Sequence, residues 1–386
     1  MQLPFDYAVR NLGRSQMRLA ISVGGSMLVA LLALASVGFV RGMSQALGRS
    51  GLTHNVIVLG AGSEESIERS EISPQVSTLL AAEVSGIATM LGAPLLSPEV
   101  HVALPLDAGT GAPVVAVFRG VTASAFLVHP QVRLIEGRAP EPGTDEVILG
   151  REALAMIRRA GLGDGIGSNV MLEHRSLPIV GVFAAPGTVM EGEIWMPLQS
   201  LKVATQRTTD SCVITTMVSD DTGEVDAFAA IRIDLELASM RESEYYAALN
   251  RFLAPIRWLV IATALVVSIG GLLGGIITFD AAFASRVREL ATLQTLGFRR
   301  RAIGLSLVTE AVLAAVSGGL LAAVAGMLLL DGVSVRSSMG SFAVRVDTFA
   351  VAAALLVTLA LGVIGALIPA WRCLRLSIPD ALRSSA

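Results

Sequence analysis

Five arginines and one acid crowd into residues 285–301, SRVRELATLQTLGFRRR, between two long apolar runs. The chemistry these residues offer is charge pairing and surface recognition. Val287, Leu290, Leu293 and Gly297 recur at three- and four-residue steps, with Ala291 and Leu296 nearby, a spacing that predicts a short amphipathic helix. Gly297 suits the left-handed position that ends such a helix, and Phe298 suits its apolar closing partner. Arg299, Arg300 and Arg301 then fall at the helix's negative end. Glu289 is placed to pair with Arg286 or Arg288 and hold the helix in register. The expected object is a rigid, basic, greasy knob able to enter a groove on a soluble partner. The competing expectation for any single arginine is that it merely orients the flanking apolar runs.

Catalytic chemistry is missing from the pattern. There is no Gly-x-x-x-x-Gly-Lys-Ser/Thr phosphate loop, and Lys202, the one lysine, follows MPLQSL, a setting that cannot fill that role. No His-Glu-x-x-His occurs; His54, His101, His129 and His174 are scattered and read as surface or packing residues. SEESIERSE (63–71) reads as a solvated loop, and GLGDGIG (161–167) lacks the strand-turn-helix context of a phosphate cradle. No nucleophile, base and orienting group can be argued from spacing, so no catalytic and no metal-binding residues are expected. Energised work would need nucleotide hydrolysis by another chain.

The elements that must position the arginine cluster are membrane helices. The 386 residues are 53% hydrophobic and only 16% charged, with mean hydropathy +0.66; a soluble domain carries about 25% charged residues. Residues 19–40, 252–279, 302–330 and 348–370 are each apolar over roughly the 20 residues that a bilayer requires. Residues 41–250 hold 25 acids against 14 basic residues, whereas the rest of the chain holds 7 acids against 15 arginines. Arg10, Arg14 and Arg18 precede the first span, and Arg372, Arg375 and Arg383 follow the fourth. By the positive-inside rule both termini and the 280–301 loop face the cytoplasm, while 41–251 and 331–347 face outward. ALAS (33–36) resembles a signal-peptidase site, but the apolar run continues to Val40, so an uncleaved anchor is expected. Cys212 and Cys373 then lie on opposite sides and form no disulfide.

The expected fold is a four-helix membrane protein with a large α+β extracytoplasmic domain inserted between the first and second transmembrane helices. Its segments are a cytoplasmic N-terminal helix (1–18), the first span (19–40), the outer domain with stalk helices (41–251), the second span (252–279), the coupling loop (280–301), the third span (302–330), a short outer loop (331–347), the fourth span (348–370) and a cytoplasmic tail (371–386). Within the outer domain, 55–59, 113–121, 132–137, 145–149, 168–172, 177–183 and 211–218 read as strands, and 151–162 and 224–233 as helices. MRESEYYAALNRFLAPIRWLV carries no turn signal, so one helix is expected to run from the outer domain into the second span. Gly270 with Gly274, and Gly271 with Gly275, form small-xxx-small pairs suited to close helix packing.

RVRELATLQTLGFRRRAI, followed by Glu310 inside the next span, resembles the coupling-helix signature of the MacB–FtsX-like ABC transporter permeases (type VII permeases, related to lipoprotein-release and macrolide or glycolipid exporters). The matches are Arg286, Arg288, Glu289, Gly297, Arg299, Arg300, Ile303 and Glu310; Leu290-Ala291 stands where that family often has Ile-Gly. AVRNLGRSQMR (8–18), IEGRAPEPGTDEVILGREAL, LPIVGVF with EIWMPL, and IPAWRCLRLSIPDALR (368–383) are similar to further parts of the same family. The resemblance implies a non-catalytic subunit of the bacterial inner membrane, with ATP and Mg on a partner. It implies a cytoplasmic ABC ATPase dimer docked at Arg286, Arg288, Glu289, Leu290, Leu293, Leu296, Gly297, Phe298, Arg299 and Arg300, and a second copy or paralogue of the permease. A periplasmic adaptor and membrane lipids are further expected partners; nucleic acid is not. ATP-driven closure would move the outer domains by mechanotransmission, exporting or extracting a hydrophobic, lipidated or peptide cargo. The alternative is an FtsX-like transmitter that activates an outer-face cell-wall hydrolase without moving substrate; an anchored binding module with no ATPase is disfavoured by the coupling motif. Glu310 is either a functional membrane carboxylate or a helix-packing one.

Overall fold

Long apolar stretches become helices because only a helix satisfies its own backbone groups in lipid. Four such helices form, Gln16–Ser50, Ala254–Ala284, Arg300–Leu329 and Thr348–Arg375, each long and apolar enough to cross a membrane. The computed structural model describes residues 16–107, 114–172, 175–337 and 340–375. The expected N-terminal helix up to residue 15, His174, and the tail motif beyond Arg375 lie outside these residues. The chain divides into a membrane unit (Met1–Arg41, Pro255–Val333 and Val344–Ala386) and an inserted unit (Gly42–Ala254 and Ser334–Ala343).

In the membrane unit, Ala30 and Leu34 of the first span share a core with Ala322 and Ala354 of the third and fourth. Small residues let these backbones approach. A Cβ added at Gly318 would strike Ser26 and Val23, one at Gly319 would strike Thr358, and one at Gly362 would strike Val312 and Ala315. Of the four glycines singled out in the second span, only Gly271 lies against another helix, under Val29; at Gly270, Gly274 and Gly275 an added Cβ would meet nothing within 4 Å. The second span buries only Ala282 and Phe283, at its end, and apart from Gly271 the tight glycine contacts described here join the first, third and fourth spans.

The expected continuous helix into the second span is interrupted. A helix runs Glu242–Phe252, Leu253 leaves the helical conformation, and the next helix starts at Ala254. Pro255 accounts for the break: it lacks the N–H that a continuing helix would use.

The inserted unit is built on β1 (Asn55–Gly60), the small hairpin β2 (Thr89–Met90) and β3 (Ala93–Pro94), β4 (Leu96–Leu106), β5 (Val114–Val121), β6 (Arg133–Gly137), β7 (Val147–Gly150), β8 (Asn169–Leu172), β9 (Arg175–Ala184), β10 (Glu193–Pro197), β11 (Cys212–Thr216) and β12 (Leu237–Arg241). One sheet has the order β12-β1-β11-β4-β5-β10-β7-β9-β6, with β8 against β9. β4 is its joint: Leu96–Glu99 pairs with β11, and Val100–Leu106 pairs with β5. Sequence reading missed β4 because Pro98 and Pro105 interrupt it, and proline cannot donate to a ladder. Each half has its own core, one around Phe118, Ile157 and Ile179, the other around Val58, Leu80 and Val213. The helices are Gln75–Glu83, Ala125–Val128, Arg151–Arg159, Leu198–Thr205, Gly223–Ile231 and Glu242–Phe252.

The 331–347 loop contains a second hairpin, β13 (Ser334–Ser337) with β14 (Gly340–Ala343), which groups with the inserted unit beside the turn Val189–Gly192. SEESIERSE also departs from a wholly solvated loop: Ile67 and Ser70 are buried, and Ser70 Oγ accepts the Gly60 amide at 2.8 Å.

Candidate functional site

The turn between the second and third spans forms a helix, Val287–Thr295, whose apolar positions recur at helical spacing. Its end closes as a Schellman motif. Phe298 N–H donates to the Leu293 carbonyl at 3.2 Å, Gly297 N–H donates to the Gln294 carbonyl at 3.1 Å, and Gly297 has φ +91°. Only glycine takes that φ without strain.

The helix has two unlike faces. Val287, Leu290 and Ala291 are buried, and Leu293 and Phe298 pack beside Phe283, Ile303, Leu307 and Leu374 of the chain's own spans. Leu290 is 2% exposed and Arg286 7%, so neither presents its side chain to a partner. Arg286 instead reaches into the membrane unit, with Nη1 3.1 Å from Glu310 Oε2 and Nε 3.4 Å from Glu289 Oε2. Glu310, about 15 Å along the third span at 1.5 Å per residue, is the carboxylate that receives it. The outward face consists of Arg288, Glu289, Thr292, Leu296, Arg299 and Arg300, with Leu296 65% exposed. Of the ten residues singled out around this turn, five therefore share an exposed surface beside Gly297, and four anchor it from beneath. The Arg286–Glu310 pair was not legible in sequence, because the partners are 24 positions apart on different elements.

A second polar constellation lies in the inserted unit, where scattered histidines gave no signal. Glu99, Arg119, His129, Glu193 and Glu242 are fully or almost fully buried, with His101 beside them. Arg119 donates to Glu193 through Nε at 2.7 Å and Nη2 at 2.8 Å, and to Glu99 through Nη1 at 3.0 Å. Trp195 Nε1 donates to Glu193 Oε2 at 2.8 Å. His101 Nε2 and His129 Nε2 lie 3.0 and 2.9 Å from the two Glu99 oxygens. Burial would push the Glu99 carboxyl up, but Arg119 and the two imidazoles hold it well below the usual carboxylate range. Glu193 is likewise lowered: Arg119 overcomes its burial. His101 is lowered by burial and by Arg119.

Glu99, His101 and Cys212 bring donor atoms within 4.8 Å of one another. They fit a metal poorly. The Arg119 guanidinium already supplies the cation at the shared Glu99 Oε2, and burial keeps the Cys212 thiol far above its usual range and so protonated. The cluster's chemistry is structural charge balance, and no nucleophile with an adjacent base emerges from it.

Four helices long and apolar enough to cross a membrane, with a mixed α/β unit inserted after the first, define the class of an integral membrane protein. The MacB-like periplasmic core domain matches residues 19–232, and the FtsX-like permease C-terminal domain matches residues 260–378. The chain belongs to the MacB–FtsX-like family of ABC transporter permeases. Among the solved structures similar to it are two transporter domains. The periplasmic region of MacB from Actinobacillus actinomycetemcomitans is 13% identical, covering 51% of this chain and 92% of that one with a TM-score of 0.39. The extracellular domain of the noncanonic ABC-type transporter YknZ from Gram-positive bacteria is 14% identical, covering 48% and 100% with a TM-score of 0.37. Comparison with curated proteins finds no match.

Proposed function

We propose that this chain is the non-catalytic membrane subunit of an ABC transporter that works by mechanotransmission. A cytoplasmic ATPase dimer grips the exposed face of Val287–Thr295, and a second copy or a paralogue completes the permease. Closure of the ATPases moves the spans, and the spans move the outer domain against a hydrophobic, lipidated or peptide cargo. Both termini and the 280–301 loop are cytoplasmic in this reading. A periplasmic adaptor is a further partner in the export arrangement.

The observation that carries this reading is the two-faced turn helix. Its inner face is packed and ion-paired to the third span, so a push on its outer face has somewhere to go. Two features of the inserted unit support the second half of the relay. Hairpin β13–β14, which joins the third and fourth spans, groups with that unit, and its other two connections lead to the first and second spans. Every span is therefore covalently continuous with it.

The test is co-purification of the permease with its ATPase, recognised by its phosphate-loop sequence in mass spectrometry. Leu296→Asp and Arg288→Glu change only exposed side chains and should abolish the association while leaving membrane insertion intact. A variant pair that retains the ATPase at wild-type yield would refute the docking surface. Leu293→Asp is a poorer probe, because Leu293 packs into the permease's own core.

A further inference from the structure

β6 ends the strand order of the large sheet, and among the described residues it pairs with β9 alone. An edge strand leaves a row of backbone N–H and C=O groups open to pairing with another chain. This edge is covered on neither face. Arg133, Leu134, Ile135, Glu136 and Gly137 are all exposed, Leu134 to 39% and Ile135 to 43%. Ile166, also exposed, extends the apolar surface at the strand's end, where a Cβ on Gly137 would lie 3.0 Å from its side chain.

Two charges frame the apolar pair. Arg133 and Glu136 make no ion pair and no side-chain hydrogen bond among the described residues, whereas Arg138, just beyond them, is held by Glu146 at 2.7 Å. A bulge between Leu134 and Glu136 decides where the two charges point. Arg133 stands opposite Ala184 on β9 and Glu136 stands opposite Val182. Ala184 and Val182 are two residues apart and so share a face of the sheet, and Arg133 and Glu136 share it with them. A regular strand would put residues three apart on opposite faces. The extra residue, Ile135, brings the base and the acid together on one.

That arrangement is self-complementary. A two-fold axis normal to the sheet, between Leu134 and Ile135, keeps each face and reverses the strand direction. It sets Arg133 beside the second copy's Glu136, and Glu136 beside the second copy's Arg133, with Leu134 and Ile135 of both copies around the axis. Opposite charges and aliphatic pairs at such cross-strand positions are each stabilising. A surface that matches itself is what an isologous interface requires. A bulge also discourages indiscriminate pairing of an edge, so it restricts this edge to a strand of matching charge order.

We propose that β6 is a contact between two copies of this chain, formed edge to edge across a two-fold axis with Arg133 paired to the second copy's Glu136. The proposal rests on the reading that a second copy completes the permease, and it places one contact of that pair on the inserted unit. The contact is small, so it serves copies already held together in one bilayer.

The experiment uses two differently tagged forms of the full-length protein, co-expressed and oxidised in isolated membranes. Strands paired in this way bring Cα atoms to about 4.5–5.5 Å, and a disulfide spans about 4.4–6.8 Å. Leu134→Cys, beside the axis, should therefore link the two tags through residue 134, as identified in the linked peptide by mass spectrometry. Val218→Cys, on an exposed residue far along the sheet, should not. In the Leu134→Cys protein, Arg133→Glu or Glu136→Arg alone should reduce the link roughly three- to tenfold, and both changes in one chain should restore it. Should Leu134→Cys fail to fold, Ile135→Cys gives the same reading from the other side of the axis. Linking no greater than at Val218→Cys, or linking indifferent to the charge reversals, would overturn the proposal. If the two tags still co-purify in that case, the two-copy permease stands without this contact. Tags that do not co-purify at all would overturn both.

Discussion

Arg119 shows how much one side chain can hold. It is fully buried, satisfies two carboxylates, and lies 5.5 Å from the centre of the Trp195 ring. Removing one member of a buried ionic group leaves an uncompensated charge, at a cost of about 3–5 kcal/mol. Arg119→Met should therefore lower the thermal unfolding temperature sharply at neutral pH. Its pH profile should also invert. In the wild type, Glu99 and Glu193 are lowered, so their contribution is present above the ordinary carboxylate range and is lost on acidification. Without Arg119 both carboxyls rise, and stability should recover as the pH falls. A variant whose unfolding follows the wild-type profile would mean that Arg119 does not govern these carboxyls.

At the scale of the element, the turn helix depends on two devices of different kinds. Gly297 supplies a left-handed residue at its end, and a side chain there would meet nothing within 4 Å. Gly297→Ala should thus be felt through the backbone alone, costing about 1–2 kcal/mol; thermal unfolding of the purified permease measures it. The second device is the Arg286–Glu310 pair, which joins the turn helix to the third span. Arg286→Glu and Glu310→Arg should each weaken ATP-driven activity of the assembled complex. Together they should restore part of it, with a coupling of about 0.5–3 kcal/mol in a double-mutant cycle. Additive losses would show that the pair does not act as a unit.

At the scale of the whole molecule, the exposed face of the turn carries Arg288, Arg299 and Arg300 around Leu296. Charges of this kind lose reach as salt rises, the screening length falling from about 10 Å at 0.1 M to about 3 Å at 1 M. Binding of the ATPase should weaken over that range, as measured by titration in detergent or nanodiscs. The apolar contact of Leu296 should persist, leaving a salt-resistant remainder that Leu296→Asp removes. Affinity independent of salt would place the ATPase on a different surface.

Properties written in local order are legible in the amino-acid sequence by itself. Four apolar stretches, the amphipathic spacing of residues 287–297 and the β-branched runs of the inserted unit each depend on neighbours within a few positions, and composition reports them directly. Gly297 is of the same kind, since its conformation is a local requirement. β4 was hidden by Pro98 and Pro105; Pro98 lies beside the point where the strand changes partner from β11 to β5, and Pro105 lies near the strand's end, both places where a missing donor is tolerated. Tertiary structure alone decided the rest. It turned Arg286 and Leu290 inward, joined Arg286 to Glu310, and gathered Glu99, Arg119, His129, Glu193 and Glu242 from five separate stretches of chain into one dry cluster. A charge among apolar residues reads the same in sequence whether it faces water or a partner across the core. Only the packing that brings distant segments together determines which it meets.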